Sequence, residues 1–404
     1  MAGQQLTPLE EALARLLAQA TPLAGSETVP LTECLGRVLA EDHHVPADVP
    51  PADNSAVDGY ALRTQDFVPG SPLPVSARVP AGQAPAAIEA GTAVRIFTGS
   101  EIPEGANAVV MQERVEVTDA GIVIRDDVSE GQNIRRHGQD LSQGDLALAR
   151  GTRLRPQEMG LLASMGIARV PVFPRLKVAI LSTGDELVEP GTALNPGQIY
   201  NTNRFTLLGL LAETCCDVVL CETLRDSREA TQATLKRAAS EADLVITSGG
   251  VSVGEEDHVR AVLEESGELS LWRLAIKPGK PLAFGSIDGT PVLGLPGNPA
   301  AVLVTFLVVA IPYIRKRQGA SDYRVSGEQL PAAFKVDSAS VRREFIRARK
   351  ETHGQRVEVA AYPNQSSGML SSACWADGLA VVPEHTTVSP GDMITYYSFA
   401  ELLG

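Results

Sequence analysis

Between residues 175 and 320 the chain alternates short apolar runs with longer stretches of helical spacing, and no other feature limits its possible folds so tightly. The apolar runs are Lys177 to Leu181, Val218 to Cys221, Leu244 to Thr247, a run near Trp272 to Ile276, and Val292 to Leu295. Helical stretches fill the gaps around Arg204 to Glu213, Arg228 to Ala239, His258 to Glu265 and Ala300 to Ile314. Such alternation predicts a parallel sheet covered on both faces. The most apolar stretch, Ala300 to Ile311, contains Thr305 and stops at Pro312. It falls short of the roughly 20 residues a membrane span needs and reads as a buried helix.

The flanking segments have other rhythms. From 48 to 140, short alternating runs (Val75 to Val79, Ala93 to Phe97, Ala108 to Met111, Ile122 to Ile124) are separated by Gly, Pro and Asp turns, which predicts a β-rich domain. It is inserted between two segments, 1–47 and 141–174, whose helices at Thr7 to Ala20 and Pro156 to Ser164 are expected to pack together. Thr7, Pro8 and Glu10 predict a capping box with proline at the first helical position, and Leu9, Leu13, Leu16, Leu17 and Ala20 share one face. From 321 to 404 alternation returns at Val357 to Ala361, Leu379 to Val382 and Ile394 to Phe399, with a compact β-barrel as the expected closure. The whole is a multidomain α/β protein, as expected when 404 residues exceed what one core supports.

A formal net charge of -14 disfavours nucleic acid as a partner, so an anionic ligand needs a local cationic pocket. The N-terminus has no basic, apolar signal pattern, and a cytoplasmic protein without a membrane partner is expected. The 5 cysteines, Cys34, Cys215, Cys216, Cys221 and Cys374, are odd in number and lack C-x-x-C spacing, which argues against a disulfide framework or a zinc site.

In open α/β sheets, ligands bind beyond the carboxyl ends of the strands. Three loops lie there: Ser182-Thr183-Gly184-Asp185-Glu186, the segment from Ser248-Gly249-Gly250-Val251-Ser252 to Asp257, and Pro296-Gly297-Asn298-Pro299. One such loop alone is as readily a plain strand-to-helix connection. Three on one edge point to phosphate or carboxylate, held by backbone N–H groups and helix N-termini. Asp185, Glu186, Asp226 and Asp257 crowd the same edge with negative charge, a conflict that a divalent cation such as Mg²⁺ resolves. Lys277 and Lys280 flank a Pro-Gly turn and can hold an oxyanion. Outside this region, Asp53-Asn54-Ser55-Ala56-Val57-Asp58-Gly59-Tyr60, Phe97-Thr98-Gly99-Ser100 and the segment from Gly131 to Asp140, with its Arg135-Arg136 pair, end alternating runs in polar residues. Arginine pairs suit tetrahedral oxyanions, although each segment taken singly is more commonly a solvated turn.

Together these motifs resemble the molybdopterin molybdenumtransferase family, of the MoeA or gephyrin E-domain type. The resemblance is carried by D-N-S-A-V-D-G-Y-A at 53–61, F-T-G at 97–99, G-Q-N-I-R-R-H-G-Q-D at 131–140, S-T-G-D-E-L at 182–187, S-G-G-V-S-V-G-E-E-D at 248–257, A-I-K-P-G-K-P at 275–281 and L-P-G-N-P at 295–299. It implies four domains: a helical domain (1–47 plus 141–174), an inserted β-rich domain (48–140), a Mog-like α/β domain (175–320) and a C-terminal β-barrel (321–404). It also implies a homodimer that joins molybdate to adenylyl-molybdopterin, releases AMP and uses Mg²⁺. Asp58, Thr98, Asp140, Glu186, Asp226 and Asp257 fall on its catalytic positions, with Asp58 and Thr98 coming from the second subunit. Glu186, Asp226 and Asp257 are the implied metal ligands. Arg135, Ser182, Thr183, Gly184, Gly249, Gly250, Ser252, Lys277 and Lys280 are expected to bind substrate. So are Pro296, Gly297, Asn298 and Pro299, with Ser367 and Ser371 at a C-terminal pterin contact. Arg273 stands where the family carries lysine, which alters donor geometry there. Two rivals remain: a molybdopterin adenylyltransferase, and a noncatalytic dimeric scaffold.

Overall fold

The computed structural model describes residues 6–224, 227–250, 258–265 and 269–404. Its centre is a six-stranded sheet in the order Asp217–Leu224, Lys177–Thr183, Leu244–Ser248, Thr290–Leu295, Pro281–Ile287 and Leu269–Arg273. The first four pair in parallel and the last two add antiparallel. The expected parallel sheet is therefore extended by an antiparallel edge. Its strand Pro281–Ile287 was not predicted, because proline, glycine and serine break its apolar run.

Alternation along the central strands feeds two cores. Val178, Ile180, Ile246, Leu293 and Leu295 face a large cluster containing Leu207, Leu211 and the helix at 299–317. Ala179, Leu181, Val245 and Val292 face the other way, against Leu235 and Ala238 of the helix Arg228–Glu241 and Val259 and Val262 of His258–Glu265. A strand buried on both faces produces the near-continuous apolar run seen in the sequence.

Two expectations about helices are corrected. The predicted capping box at Thr7 does not form: Thr7 joins a parallel bridge to Leu274, its N–H donates to the Arg273 carbonyl at 2.8 Å, and Pro8 occupies the N-cap of the helix Leu9–Ala18. That helix does not pack on Pro156–Ser164. Leu9, Ala12 and Leu16 sit in the large core of the α/β unit, whereas Leu162 packs with Val29, Cys34, Leu39 and Val172. The helix expected over Ala300 to Ile314 does form, and it continues through Pro312. It runs from Pro299 to Arg317, and a π-helical turn at Phe306–Ala310 just precedes the proline, whose ring and missing N–H disturb a regular helical ladder. This helix is long and apolar enough to cross a membrane, yet 72% of its most apolar window is buried inside the protein.

In the segment 48–140 the strands Val75–Val79, Ala93–Ile96, Gly59–Leu62 and Ala108–Met111 lie side by side, next to a smaller sheet containing Gly121–Ile124. Near the C-terminus, Glu328–Pro331, Met393–Ser398, Gly378–Val382, Arg343–His353 and Arg356–Ala361 pair in succession, and an Ala332–Val359 bridge joins last to first, closing a small barrel. Ile346, Ala348, Ala380 and Val382 fill its interior, while Phe345, Leu379 and Val381 face outward into the α/β core. One two-residue period thus serves two cores.

Candidate functional site

A cleft of about 840 Å³ opens at the carboxyl ends of the parallel strands. Thr183, Glu186, Gly249, Gly250, Pro296, Gly297, Asn298 and Pro299 line it, as the loop reading required. Two helices begin at its wall. Asn201 caps Thr202–Glu213, its side-chain oxygen accepting from the Arg204 N–H at 3.1 Å, and Pro299 starts the long helix. Helix N-termini present N–H groups and positive dipole ends, so both favour an anion between them.

The glycines of the second loop pack closely against the first. A Cβ on Gly249, at φ +85°, would sit 2.6 Å from the Thr183 hydroxyl oxygen. Close packing of neighbouring loops excludes a side chain there. Ser182 is 1% exposed and donates to the Asn201 side-chain oxygen at 3.4 Å, so it braces the helix cap from beneath. Gly184 lies beside the Glu186 carboxylate and, like Ser182, is not among the cleft-lining residues.

Part of the lining is cationic. Lys277, Pro278, Gly279 and Lys280 form a turn in which Gly279 adopts φ +107° directly over the Thr305 hydroxyl, leaving no room for a Cβ. Arg342 joins these lysines at the surface of the cleft. Neither Lys280 nor Arg342 makes an ion pair among the described residues, whereas Lys277 lies 3.1 Å from Glu344. Glu186 is the cleft's exposed carboxylate. Three cations and two helix N-termini give the pocket the local positive field that a chain of charge -14 lacks globally.

The C-terminal barrel contributes through a loop. The Ala300 N–H, in the first turn of the long helix, donates to the Ser367 carbonyl at 2.9 Å, drawing Gln365, Ser366 and Ser367 to the rim. Arg347 holds that loop from below: fully buried, it donates from Nε to Ser372 Oγ and from the other end of its guanidinium to the Ser366 carbonyl, each at 3.0 Å. Burial pulls this guanidinium down to about 10, which leaves it cationic at neutral pH. Ser371 is exposed at the start of the short helix Ser371–Trp375 and does not line the cleft.

Asp58, Thr98, Arg135 and Asp140 are also absent from this cleft. Thr98 donates to Asp58 through both its backbone N–H and its hydroxyl, each at 2.8 Å, and these bonds, with Arg95 nearby, hold the Asp58 carboxyl below the usual carboxylate range. Arg135 is exposed on a strand that pairs Ile134–Arg135 with Asn54–Ser55, and Asp140 is exposed beyond it. Ser252, Asp226 and Asp257 lie outside the described residues.

Sequence reasoning overlooked Tyr200, Asn201, Asn203 and Arg342 as lining residues. Asn201 and Asn203 had a signal, an amide just ahead of a helical stretch. Arg342 had none, since only tertiary packing brings the barrel's first long strand to the α/β unit. Among the described residues no cluster of three or more His, Cys, Asp or Glu side chains could hold a metal. Two of the lining residues nevertheless carry buried oxygens without partners, Asn203 Oδ1 and Ser248 Oγ, in the cleft that Glu186 also lines. An all-oxygen set of this kind fits a hard divalent cation better than a zinc-like ion.

Family models match three stretches: "MoeA N-terminal region (domain I and II)" over residues 7–166, "Probable molybdopterin binding domain" over 179–316, and "MoeA C-terminal region (domain IV)" over 329–399. A molybdopterin molybdenumtransferase of Haemophilus influenzae is 43% identical, covering 90% of this chain and 92% of its own. Molybdopterin molybdenumtransferase 2 of Mycobacterium tuberculosis is 38% identical, covering 84% and 86%. A crystal structure of a molybdopterin biosynthesis moeA protein from Pyrococcus horikoshii superposes with a TM-score of 0.82 at 33% identity, covering 98% of this chain and 100% of that one.

Proposed function

The chain belongs to the molybdopterin molybdenumtransferase family, and from that premise we propose that its cleft joins molybdate to adenylyl-molybdopterin, releasing AMP. The observation that carries this reading is that a cationic turn, Lys277 and Lys280, and two helix N-termini line one pocket. Two anionic reactants must approach each other there, and cations with preorganised N–H groups offset their repulsion.

In this reading Lys277, Lys280 and Arg342 hold molybdate oxygens. The loops at Gly249, Gly250 and Pro296 to Pro299 receive the phosphates, and Ser367 meets the pterin end. A molybdate oxygen attacks the adenylyl phosphorus, the pyrophosphate bond breaks toward the pterin phosphate, and the oxygen leaves on AMP as the dithiolene sulfurs take the metal. Mg²⁺ would be held by Glu186 with the free oxygens of Asn203 and Ser248, and by Asp226 and Asp257; when bound it supplies positive charge that polarises the pyrophosphate linkage.

Asp58 and Thr98 complete the site from a second copy of the chain, in a cytoplasmic homodimer to which other cofactor-biosynthesis proteins deliver the pterin. The same copy supplies Arg135 and Asp140. The test is AMP release by purified protein given adenylyl-molybdopterin, with and without molybdate. Release that requires molybdate, with cofactor formed, is expected. Molybdate-independent release, or ATP consumption with unadenylated pterin, would overturn the assignment.

A further inference from the structure

Lys277 does not stand free in the cleft. The short strand Ile276–Lys277 adds in parallel to the barrel strand Arg343–His353, in a register that sets Lys277 opposite Glu344. Its ammonium lies 3.1 and 3.2 Å from the two carboxylate oxygens, so the pair is nearly symmetric. The Glu344 side chain is 14% exposed and that of Lys277 is 45% exposed, which puts the carboxylate behind the lysine as seen from solvent. The adjacent Arg343 is occupied by Glu10 and Glu384. Lys277 is therefore the sole ion-pair partner of Glu344 among the described residues.

We infer that Glu344 is the displaceable counter-ion of Lys277, competing with the incoming oxyanion for the lysine and taking it back when the oxyanion leaves. The inference rests on the proposed anion role of the cleft. A pocket with Lys277, Lys280 and Arg342 all unpaired would hold a dianion tightly, and tight binding of a ground state slows any step that must give the ligand up. A carboxylate behind one of the three cations weakens that hold, and it does so in proportion to the ligand's charge. It also spares Lys277 from standing half-buried without a partner when the cleft is empty. Glu344 acts through Lys277 and is a positioning residue.

Molybdate and perrhenate are both tetrahedral and of similar size, and they carry two charges and one. Calorimetric titration of each into the wild type and Glu344→Gln, at matched ionic strength, separates charge from shape. Glu344→Gln is expected to bind molybdate roughly tenfold more tightly, with a smaller gain for perrhenate. In turnover, KM for molybdate and kcat both fall. Unchanged or weaker molybdate affinity in a variant with a wild-type melting transition would overturn the inference, as would equal gains for the two anions. If Glu344→Gln fails to fold, Glu344→Asp serves instead. Its shorter side chain holds the lysine less well, so its molybdate affinity is expected to rise by a smaller factor, and no rise overturns the inference. Lys277→Gln run in parallel keeps the two readings apart. If it binds molybdate normally, the anion role of the cleft fails; if it loses binding while Glu344→Gln is unaltered, only the counter-ion role fails.

Discussion

The cleft and the inserted β unit both end strands in small, polar and charged residues, but they dispose of them differently. At the cleft, loops from parallel strands, two helix N-termini and a barrel loop converge on one cavity of about 840 Å³. In the inserted unit, Asp58 and Thr98 satisfy each other at 2.8 Å, and Asp53 binds Arg136 and the His137 N–H. A parallel sheet with helices on both faces puts all its strand-to-helix loops at one edge, which makes a concave site almost unavoidable. The inserted unit pairs mostly antiparallel, with Val75–Val79 and Ala93–Ile96 parallel, so its turns fall at both ends of the sheet. In the proposed function, the inserted unit supplies groups to a cavity that lies elsewhere.

That contrast breaks most directly through turnover. Lys277→Ala in the cleft and Asp58→Ala in the inserted unit should each lower molybdenum insertion by roughly 10²–10³-fold, the loss typical of one preorganised charge or donor. If the two regions meet across a dimer, mixing the two inactive variants after dissociation and reassociation should restore up to about a quarter of wild-type activity, because half the dimers are mixed and each has one intact site. No recovery, despite mixed dimers seen by native mass spectrometry, would mean that the two regions do not share a site.

A smaller effect concerns rigidity. Gly279→Ala forces a Cβ against the Thr305 hydroxyl at φ +107° and should destabilise the protein by about 2 kcal/mol, read by thermal unfolding. A wild-type melting temperature would show that the lysine turn is looser than its packing implies.

Smaller still is the acid response of the inserted unit. The Thr98 N–H and hydroxyl lower the Asp58 pKa, so its favourable contribution is present above the ordinary carboxylate value and is lost as pH falls through the lower folded value. Thr98→Val removes the hydroxyl bond and keeps the N–H, and should move the acid limb of the pH–rate profile upward. An unmoved limb would detach Asp58 from it. The least effect is expected from Cys374→Ser: this thiol is exposed and does not line the cleft, and the change should stay within about 0.5 kcal/mol of wild-type stability.

Legibility followed burial. The runs at Lys177 and Leu244 were readable because strands buried on both faces must be apolar throughout. The long barrel strand Arg343–His353 was not, because it alternates Phe345, Ile346 and Ala348 with arginines, and one of these, Arg347, is fully buried among loop carbonyls and hydroxyls. The Thr7 cap misread had a similar origin: its local pattern fits a helix start, but the Arg273 carbonyl captures the Thr7 N–H. The loops at Thr183, Gly249 and Pro296 were legible from chain order alone. The Glu344 partnership and the arrival of Ser367 at the rim were not.

The sequence by itself determined the layering of the α/β unit, the punctuation of the β units and the family, since periodicity and ordered motifs are local properties that survive without coordinates. Only the tertiary structure decided that the first helix joins the central core, that Arg342 and Ser367 reach the cleft while Glu344 pairs with its Lys277, and that Asp58 and Thr98 stand outside it. Those outcomes depend on contacts between residues tens to hundreds of positions apart, and no periodicity along the chain encodes which distant surfaces will bury each other.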